Sequence, residues 1–549
     1  MSGAQQAVVF IVFLGVLVTV HELGHFLAAK WAGVKVVKFS IGFGPRIFGF
    51  KRGETEYQVA WVPLGGYVKM HGDYPGEEHD LDDPERHRGL YAAPWWKRAI
   101  IMSAGPAFNL IFPVFAYFFA LLGEQTYLTP RVGGVAADMP AAIAGIRPGD
   151  LITRVNGVDI VRFDEISEAI AGAEGAIPIT VKRGEQELTF QLNPVITVDE
   201  ANPIEKTRKG MLGIIAQASA PVVGVPAGSL AAQAGLETFD RVMAINDQPV
   251  ADEVQLNQAL QKLSGPLSLS VVRMETKTVG GLPYTTPKTL NVTVEKQEGE
   301  GYAALGGAES SDLYVAYVLP GSPADKAGLK RGDRYVSVND APVKSYFLFD
   351  IKMKAHEDRP FKLTWQSGSE TKSASVTRAA ETSYDEFKNA RKSLILGTGR
   401  FFSLVADPTP PETKTIIVGP KDALVMAVKE VPKAIRTIGL VIVKLFTGGV
   451  PLDAVGGPIA VFQVATKSAE AGLDTYLMNM ALVSVNLGLV NLLPIPIFDG
   501  FALLAAFWEG IRRRPIPLRV REYANMFGLV VIAMLLVLVF KNDITKLFR

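Results

Sequence analysis

The chain has 549 residues, enough for several domains, and 48% of them are hydrophobic, as expected of a protein that is part membrane and part soluble. A formal net charge of +1 gives no reason to expect a nucleic-acid partner. The absence of cysteine excludes disulfides and thiolate sites, so any metal must be held by histidines and carboxylates.

The first apolar segment runs uncharged from Ala7 to Val20 and then reads His-Glu-Leu-Gly-His over residues 21–25. Ionisable residues are expensive inside a membrane span and mark working sites there. On a helix His21 and His25 share one face, as two ligands of a tetrahedral zinc require. Glu22 lies beside them, placed to take a proton from a water activated by the metal. A signal peptide is not expected, because MSGAQQ carries no Lys or Arg and no small-residue cleavage site follows the run.

Residues 34–70 alternate apolar and polar side chains between Gly turns and predict β-hairpins. The acidic stretch after them contains His71, His79 and His87, which are read as residues of a solvated loop and left out of the site. Three further segments can span a bilayer: Ala99 to Leu122, Thr475 to Phe498 and Tyr523 to Phe540. The segment Leu424–Leu445 is interrupted by Lys429, Glu430, Lys433, Arg436 and Lys444. Its apolar residues Val428, Val431, Ile435, Ile438, Ile442 and Leu445 recur at helical spacing, which predicts an amphipathic helix lying on a membrane or protein surface.

Between spans two and three the sequence repeats. AGIRPGDLITRVNGVDI (144–160), AGLETFDRVMAINDQPV (234–250) and AGLKRGDRYVSVNDAPV (327–343) align Asp150, Asp240 and Asp333. Their spacing of about 90 residues is that of a small domain. Basic residues crowd the loop after span one (Lys30, Lys35, Lys38, Arg46, Lys51, Arg52) and the loop between spans three and four (Arg512, Arg513, Arg514, Arg519, Arg521). Both loops are therefore expected in the cytoplasm, and the repeats on the other side, the periplasm of a Gram-negative cell.

Two histidines leave a catalytic zinc short of one protein ligand. In NLLPIPIFDG (491–500), Pro494 and Pro496 forbid a regular helix, so Asp499 hangs on irregular backbone at membrane depth, tolerated only inside protein or facing water. A shared zinc would partner it; equally, Asp499-Gly500 reads as an ordinary turn or helix cap at the interface.

HELGH, GPAFN (105–109) and NLLPIPIFDG resemble, in order, the motifs of the site-2 protease family of intramembrane zinc metalloproteases, family M50. The insertion between spans two and three and VGGPIAVFQVATKSAEAGL (455–473) resemble its RseP-type bacterial branch, and the repeated units resemble bacterial PDZ domains, the second less closely because Thr238-Phe239 replaces a basic-Gly pair. The resemblance implies Zn2+ as cofactor, His21, His25 and Asp499 as its ligands and Glu22 as the catalytic acid/base. It also implies substrate contacts at Asn491, Pro494, Pro496, Gly65 and Gly66, with a membrane-dipping sheet that holds the substrate as an added strand. Phe498 and Phe501 depart from the family's usual Leu and Gly, and three PDZ-like units stand where two are usual.

The expected fold is thus a multi-domain membrane protein: an α-helical core of four spans, a membrane-associated β-hairpin sheet and α+β PDZ-like periplasmic domains. The expected division is 1–30 (span one), 31–94 (hairpins and acidic loop), 95–123 (span two), 127–198, 210–298 and 302–380 (PDZ-like domains), 381–470 (linker with amphipathic helix), 471–509 (span three) and 523–541 (span four). The expected partners are the lipid bilayer and single-span, type II-like membrane proteins already trimmed by another protease, such as anti-sigma factors, or remnant signal peptides. The active site is expected toward the cytoplasmic side of the inner membrane, with the PDZ-like units as a size filter. A non-catalytic PDZ scaffold would make the zinc residues accidental. A transporter with a broken midplane helix would carry an inverted repeat that these spans lack.

Overall fold

The computed structural model describes every residue except 74–84, 172, 174, 199–207, 280–281, 385–389, 400–409, 449, 451, 453–454, 515 and 549. The acidic stretch around His79 therefore lies outside the described residues. Among the described residues, four helices are long and apolar enough to cross a membrane: α1 (Gly3–Ala32), α2 (Trp95–Leu121), α5 (Leu473–Asn491) and α7 (Leu518–Leu547). Three more accompany them: α3 (Pro420–Phe446), α4 (Pro458–Ala471) and α6 (Asp499–Arg512).

Ser2 opens α1 with a capping box shared with Gln5, and Gly33 closes it in the left-handed region at φ 80°. The buried residues Phe13, Leu17, His21, His25, Ala29 and Ala32 recur every three or four positions and form one stripe. That stripe meets α2 at close range: a Cβ on Gly24 would lie 2.3 Å from the Ala104 carbonyl oxygen. On its other side α2 meets α5, where a Cβ on Gly488 would lie 3.0 Å from the Pro106 oxygen. Small residues replace area burial as the basis of helix packing where the surroundings are as apolar as the side chains.

The amphipathic segment forms α3, as its periodicity predicts, but the residues it buries are Ala423, Ala427, Val431 and Ala434, against Ala116, Tyr117 and Leu121 of α2. Val428 stays 52% exposed. Alanines permit close approach to α2, Val431 and Ile435 pack beside them, and Val428 turns away from the contact.

Residues 36–70 form two long strands, β1 (Val36–Arg52) and β2 (Thr55–Met70), that curl into one sheet. Lys38 pairs with both Glu56 and Lys69, and Ile41 with both Val59 and Gly66. The first half of β1 is therefore flanked on both sides by β2, which leaves residues 66–70 along an edge. Gly42 and Gly44 make the bends with φ 91° and 89°. The sheet exposes Phe43, Phe48, Phe50 and Trp61 by 46–67%.

The chain leaves α2 through strand Gly123–Leu128 and returns to α3 through Thr413–Val418, the two pairing antiparallel. Between them lie three four-stranded sheets of the same order. Their leading strands Leu151–Val155, Arg241–Ile245 and Arg334–Val338 each lie between a two-residue strand and a hairpin. Short strands close the units late: 214–215 pairs with 134–135, 309–310 with 223–224, and 398–399 with 317–318. The pairing carries the units past the 198, 298 and 380 expected from the pattern.

The repeated aspartates explain the repeat. Asp150, Asp240 and Asp333 each accept the backbone N–H three residues earlier, at 2.9, 2.9 and 2.8 Å. Asp150 also takes a bidentate bond from Arg183, and Asp240 from Arg273. Ser367 follows Gln366 where those arginines follow the corresponding register positions, and Arg334 instead binds Glu309 of the second unit at 2.8 Å. Phe239, where the other units have Gly149 and Gly332, holds the same left-handed conformation at φ 79°. Its ring packs with Val222, Tyr314 and Ala316 at the junction of the second and third units. Asp138 of the first unit accepts from the Lys344 amide at 2.6 Å and from the Ser345 hydroxyl, joining the first unit to the third.

Candidate metal centre

His21 and His25 lie one helical turn apart on the buried stripe of α1, and their Nε2 atoms are 3.2 Å apart. Asp499 is the first residue of α6, and its Oδ2 lies 3.1 Å from His21 Nε2 and 3.4 Å from His25 Nε2. The two sequence alternatives for Asp499 are thus compatible, since it opens a helix and faces both histidines. Among the described residues this is the one group of three His or carboxylate side chains close enough to share a metal ion.

The loop that delivers Asp499 is constrained. After α5 ends at Asn491, Pro494 and Pro496 keep the chain out of helix. Ile497 sits at φ 87°, an outlier for a β-branched residue. A Cβ on Gly500 would lie 2.3 Å from the Leu492 oxygen, so glycine lets the start of α6 fold back on the end of α5. On the outer side, a Cβ on Gly528 of α7 would lie 2.4 Å from the Pro496 oxygen.

The donor set fits zinc. A tetrahedral ion about 2.0–2.1 Å from each donor holds those donors roughly 3.3 Å apart, and the three separations here are 3.1–3.4 Å. The tautomers fit as well. His25 Nδ1 lies 2.8 Å from the Ile101 carbonyl oxygen, which can only accept, so Nδ1 carries the proton and Nε2 keeps its lone pair for a metal. His21 Nδ1 is 3.0 Å from Asn109 Nδ2, while Asn109 Oδ1 is buried without a partner. Turning that amide over sets its oxygen against His21 Nδ1–H, and both rings then present lone pairs to one point. Asn109 is itself held from behind, its carbonyl accepting from Ser484 of α5 at 2.8 Å.

Gly66 lies against Glu22: a Cβ there would be 3.1 Å from Glu22 Cγ and 2.8 Å from the Ser40 oxygen. The edge segment 66–70 thus passes beside the one carboxylate of α1. Gly65 lies under the Phe43 ring, where a Cβ would meet Cε2 at 2.1 Å. Asn491 ends α5, Pro496 packs on α7, and Pro494 lines a cavity between α6 and α7. Gly105 and Asn109 stood in a motif quoted from the sequence without a role. The signal was their spacing of four on a helix, which turns both toward α1.

A model of peptidase family M50 matches residues 9–535, and the chain belongs to that family. It is 30% identical over 550 residues to the Yersinia pestis protein named protease RseP, with the whole of both chains covered. It is 29% identical over 549 residues to regulator of sigma-E protease RseP of Escherichia coli, covering 98% of each, and 28% identical over 544 residues to the Salmonella typhimurium protein of the same name, also covering 98% of each. The protein is a zinc metalloprotease, and its four apolar helices make it an integral membrane protein.

Proposed function

We propose that the protein cleaves the transmembrane segments of single-span membrane proteins already trimmed outside the membrane, as in regulated intramembrane proteolysis of anti-sigma factors and in removal of remnant signal peptides. The observation that carries this is the His21–His25–Asp499 cluster, buried among helices apolar enough to span a bilayer and flanked by a sheet edge. His21, His25 and Asp499 hold the zinc, which when bound polarises a scissile carbonyl and acidifies water. Glu22 takes the proton of the attacking water and returns it to the departing amine. A transmembrane helix must be unwound before its peptide bond is reachable, and the edge beside Gly65 and Gly66 accepts the freed backbone groups as an added strand. Asn491 contacts the substrate backbone or the oxyanion, and Pro494 and Pro496 keep the backbone around them open for it.

The three repeated units are PDZ-like domains on the periplasmic side of the inner membrane and act as a size filter. Their common strand order and their attachment by one strand pair between α2 and α3 support this. The basic loops around Lys51 and Arg513 put the active site toward the cytoplasm. One comparison tests the reading. Glu22→Gln should retain zinc and lose cleavage of a trimmed substrate. Deletion of residues 129–412 should leave that cleavage intact and extend it to untrimmed substrates. A Glu22→Gln protein that still cleaves overturns the chemistry; a deletion that still refuses untrimmed substrates overturns the filter.

A further inference from the structure

Helix α6 carries apolar side chains that the protein does not cover. Leu504, Phe507, Trp508 and Ile511 are 53, 44, 52 and 81% exposed. With Ile516, just before α7, and Val520, in its first turn, they line a cavity of about 950 Å³. Pro494 and Phe501, on either side of Asp499, also line it.

The charges around this cavity are unequal in standing. Arg521 is committed: it binds Glu509 at 2.5 Å and lies over the Tyr91 ring at 4.4 Å. Glu509 is spent as well, on Arg98 at 2.5 Å and on the Ile516 amide at 3.0 Å. Arg512 and Arg514 are exposed lining residues, and neither has a carboxylate partner among the described residues. Arg512 lies over the Trp508 ring at 4.8 Å, which aligns its guanidinium with the apolar wall.

An apolar space of this size in a membrane protein is filled by a chain from the bilayer, and two uncompensated guanidinium groups beside it call for an anion. An anionic phospholipid supplies both in one molecule, and basic pockets between membrane helices take such headgroups. The transmembrane segment of a substrate would fill the apolar space but bring no counter-charge. We propose that the cavity between α6 and α7 binds one anionic phospholipid, its acyl chains along Leu504, Phe507 and Ile511 and its phosphate held by Arg512 and Arg514. The lipid leans on Pro494 and Phe501 and so braces the strained loop that presents Asp499.

The test uses the full-length protein in detergent, titrated with phosphatidylglycerol and, separately, with phosphatidylcholine, with bound lipid counted by native mass spectrometry. One phosphatidylglycerol should bind in preference to phosphatidylcholine, and Arg512→Gln/Arg514→Gln should weaken that binding about thirtyfold. Ala505→Trp, which fills the cavity and keeps both arginines, should also lose the lipid. Equal binding of the two lipids, unchanged binding by the double variant, or displacement by an equal concentration of inorganic phosphate overturns the proposal. Unchanged lipid binding with loss of cleavage in the double variant also overturns it and makes the cavity a substrate path. The readout is binding, so its failure leaves the proteolytic reading untouched.

Discussion

Adding one methyl group at Gly105 should abolish zinc binding while every proposed ligand stays in the sequence. A Cβ at this position on α2 would lie 2.3 Å from His25 Nε2 and 2.8 Å from Cδ2 and Cε1 of the same ring. Ordinary contact begins at 3.4 Å, so the ring must retreat by about 1.1 Å. Metal sites tolerate departures of about 0.2 Å in ligand distance, which this exceeds several-fold. The imidazole has no easy escape, because its Nδ1 is tied to the Ile101 carbonyl at 2.8 Å on the same helix as the new methyl. Overpacking costs about 1–3 kcal/mol, which a core of this size survives. The assay is zinc content of purified Gly105→Ala protein beside its melting temperature in the presence of a chelator. The expected result is a folded protein with no stoichiometric zinc and no cleavage. Gly24→Ala is the control: its methyl would meet the Ala104 oxygen at 2.3 Å, so it separates α1 from α2 and loses stability as well as metal. Stoichiometric zinc in Gly105→Ala at wild-type affinity would refute the assignment of His25 Nε2 as a donor.

Asn109→Ala should weaken zinc affinity about 10–100-fold, whereas Asn109→Asp, which keeps an acceptor for His21 Nδ1–H, should retain most of it; competition against a chromogenic chelator separates the two. In the second unit the Tyr302 hydroxyl donates to Glu253 at 2.6 Å, and burial, with Asp312 and Asp252 nearby, pushes the Glu253 carboxyl up to about 7. The folded state thus holds this proton more tightly than the unfolded one. The stabilisation is full below the ordinary carboxyl range and is lost as pH rises toward about 7. Melting of the full-length protein followed by hydrogen exchange in this unit should show that loss, and Glu253→Gln should flatten it; an unchanged slope in the variant would show that another group titrates. The chain has no cysteine, so Lys330→Cys, at an exposed position three residues before the buried Asp333, can be labelled without background, and it should react only from the periplasmic side. Labelling from the cytoplasmic side alone would invert the orientation.

The membrane helices were legible because uncharged runs longer than a bilayer's thickness have few other uses, and His21 and His25 because a spacing of four aligns them. Asp499 was legible only as an alternative, since a proline-broken segment does not say where its next residue points. The sheet was read as hairpins because alternation reports which face a residue takes, not how many neighbours a strand has; the double pairing of Lys38 leaves no mark in the pattern. The strands that close the repeated units are two residues long, too short for any period. In α3 the pattern of large aliphatics gave the helix and, in Val431 and Ile435, part of its contact, but not Ala423 and Ala427, which complete it. Where lipid is as apolar as leucine, size and not hydrophobicity sorts the inner face from the outer.

The strand pair 123–128 and 413–418 gives the membrane core a socket. Gly123 lies opposite Val418 and Leu128 opposite Thr413, so everything between leaves and re-enters at one place. Because both ends of the insertion are held by this one pair, a change of a whole unit between them need not alter the separation of α2 and α3. A third repeated unit is therefore an addition the catalytic helices need not register. The same joint makes the extramembrane part a cassette that could be exchanged between proteases of different substrate reach.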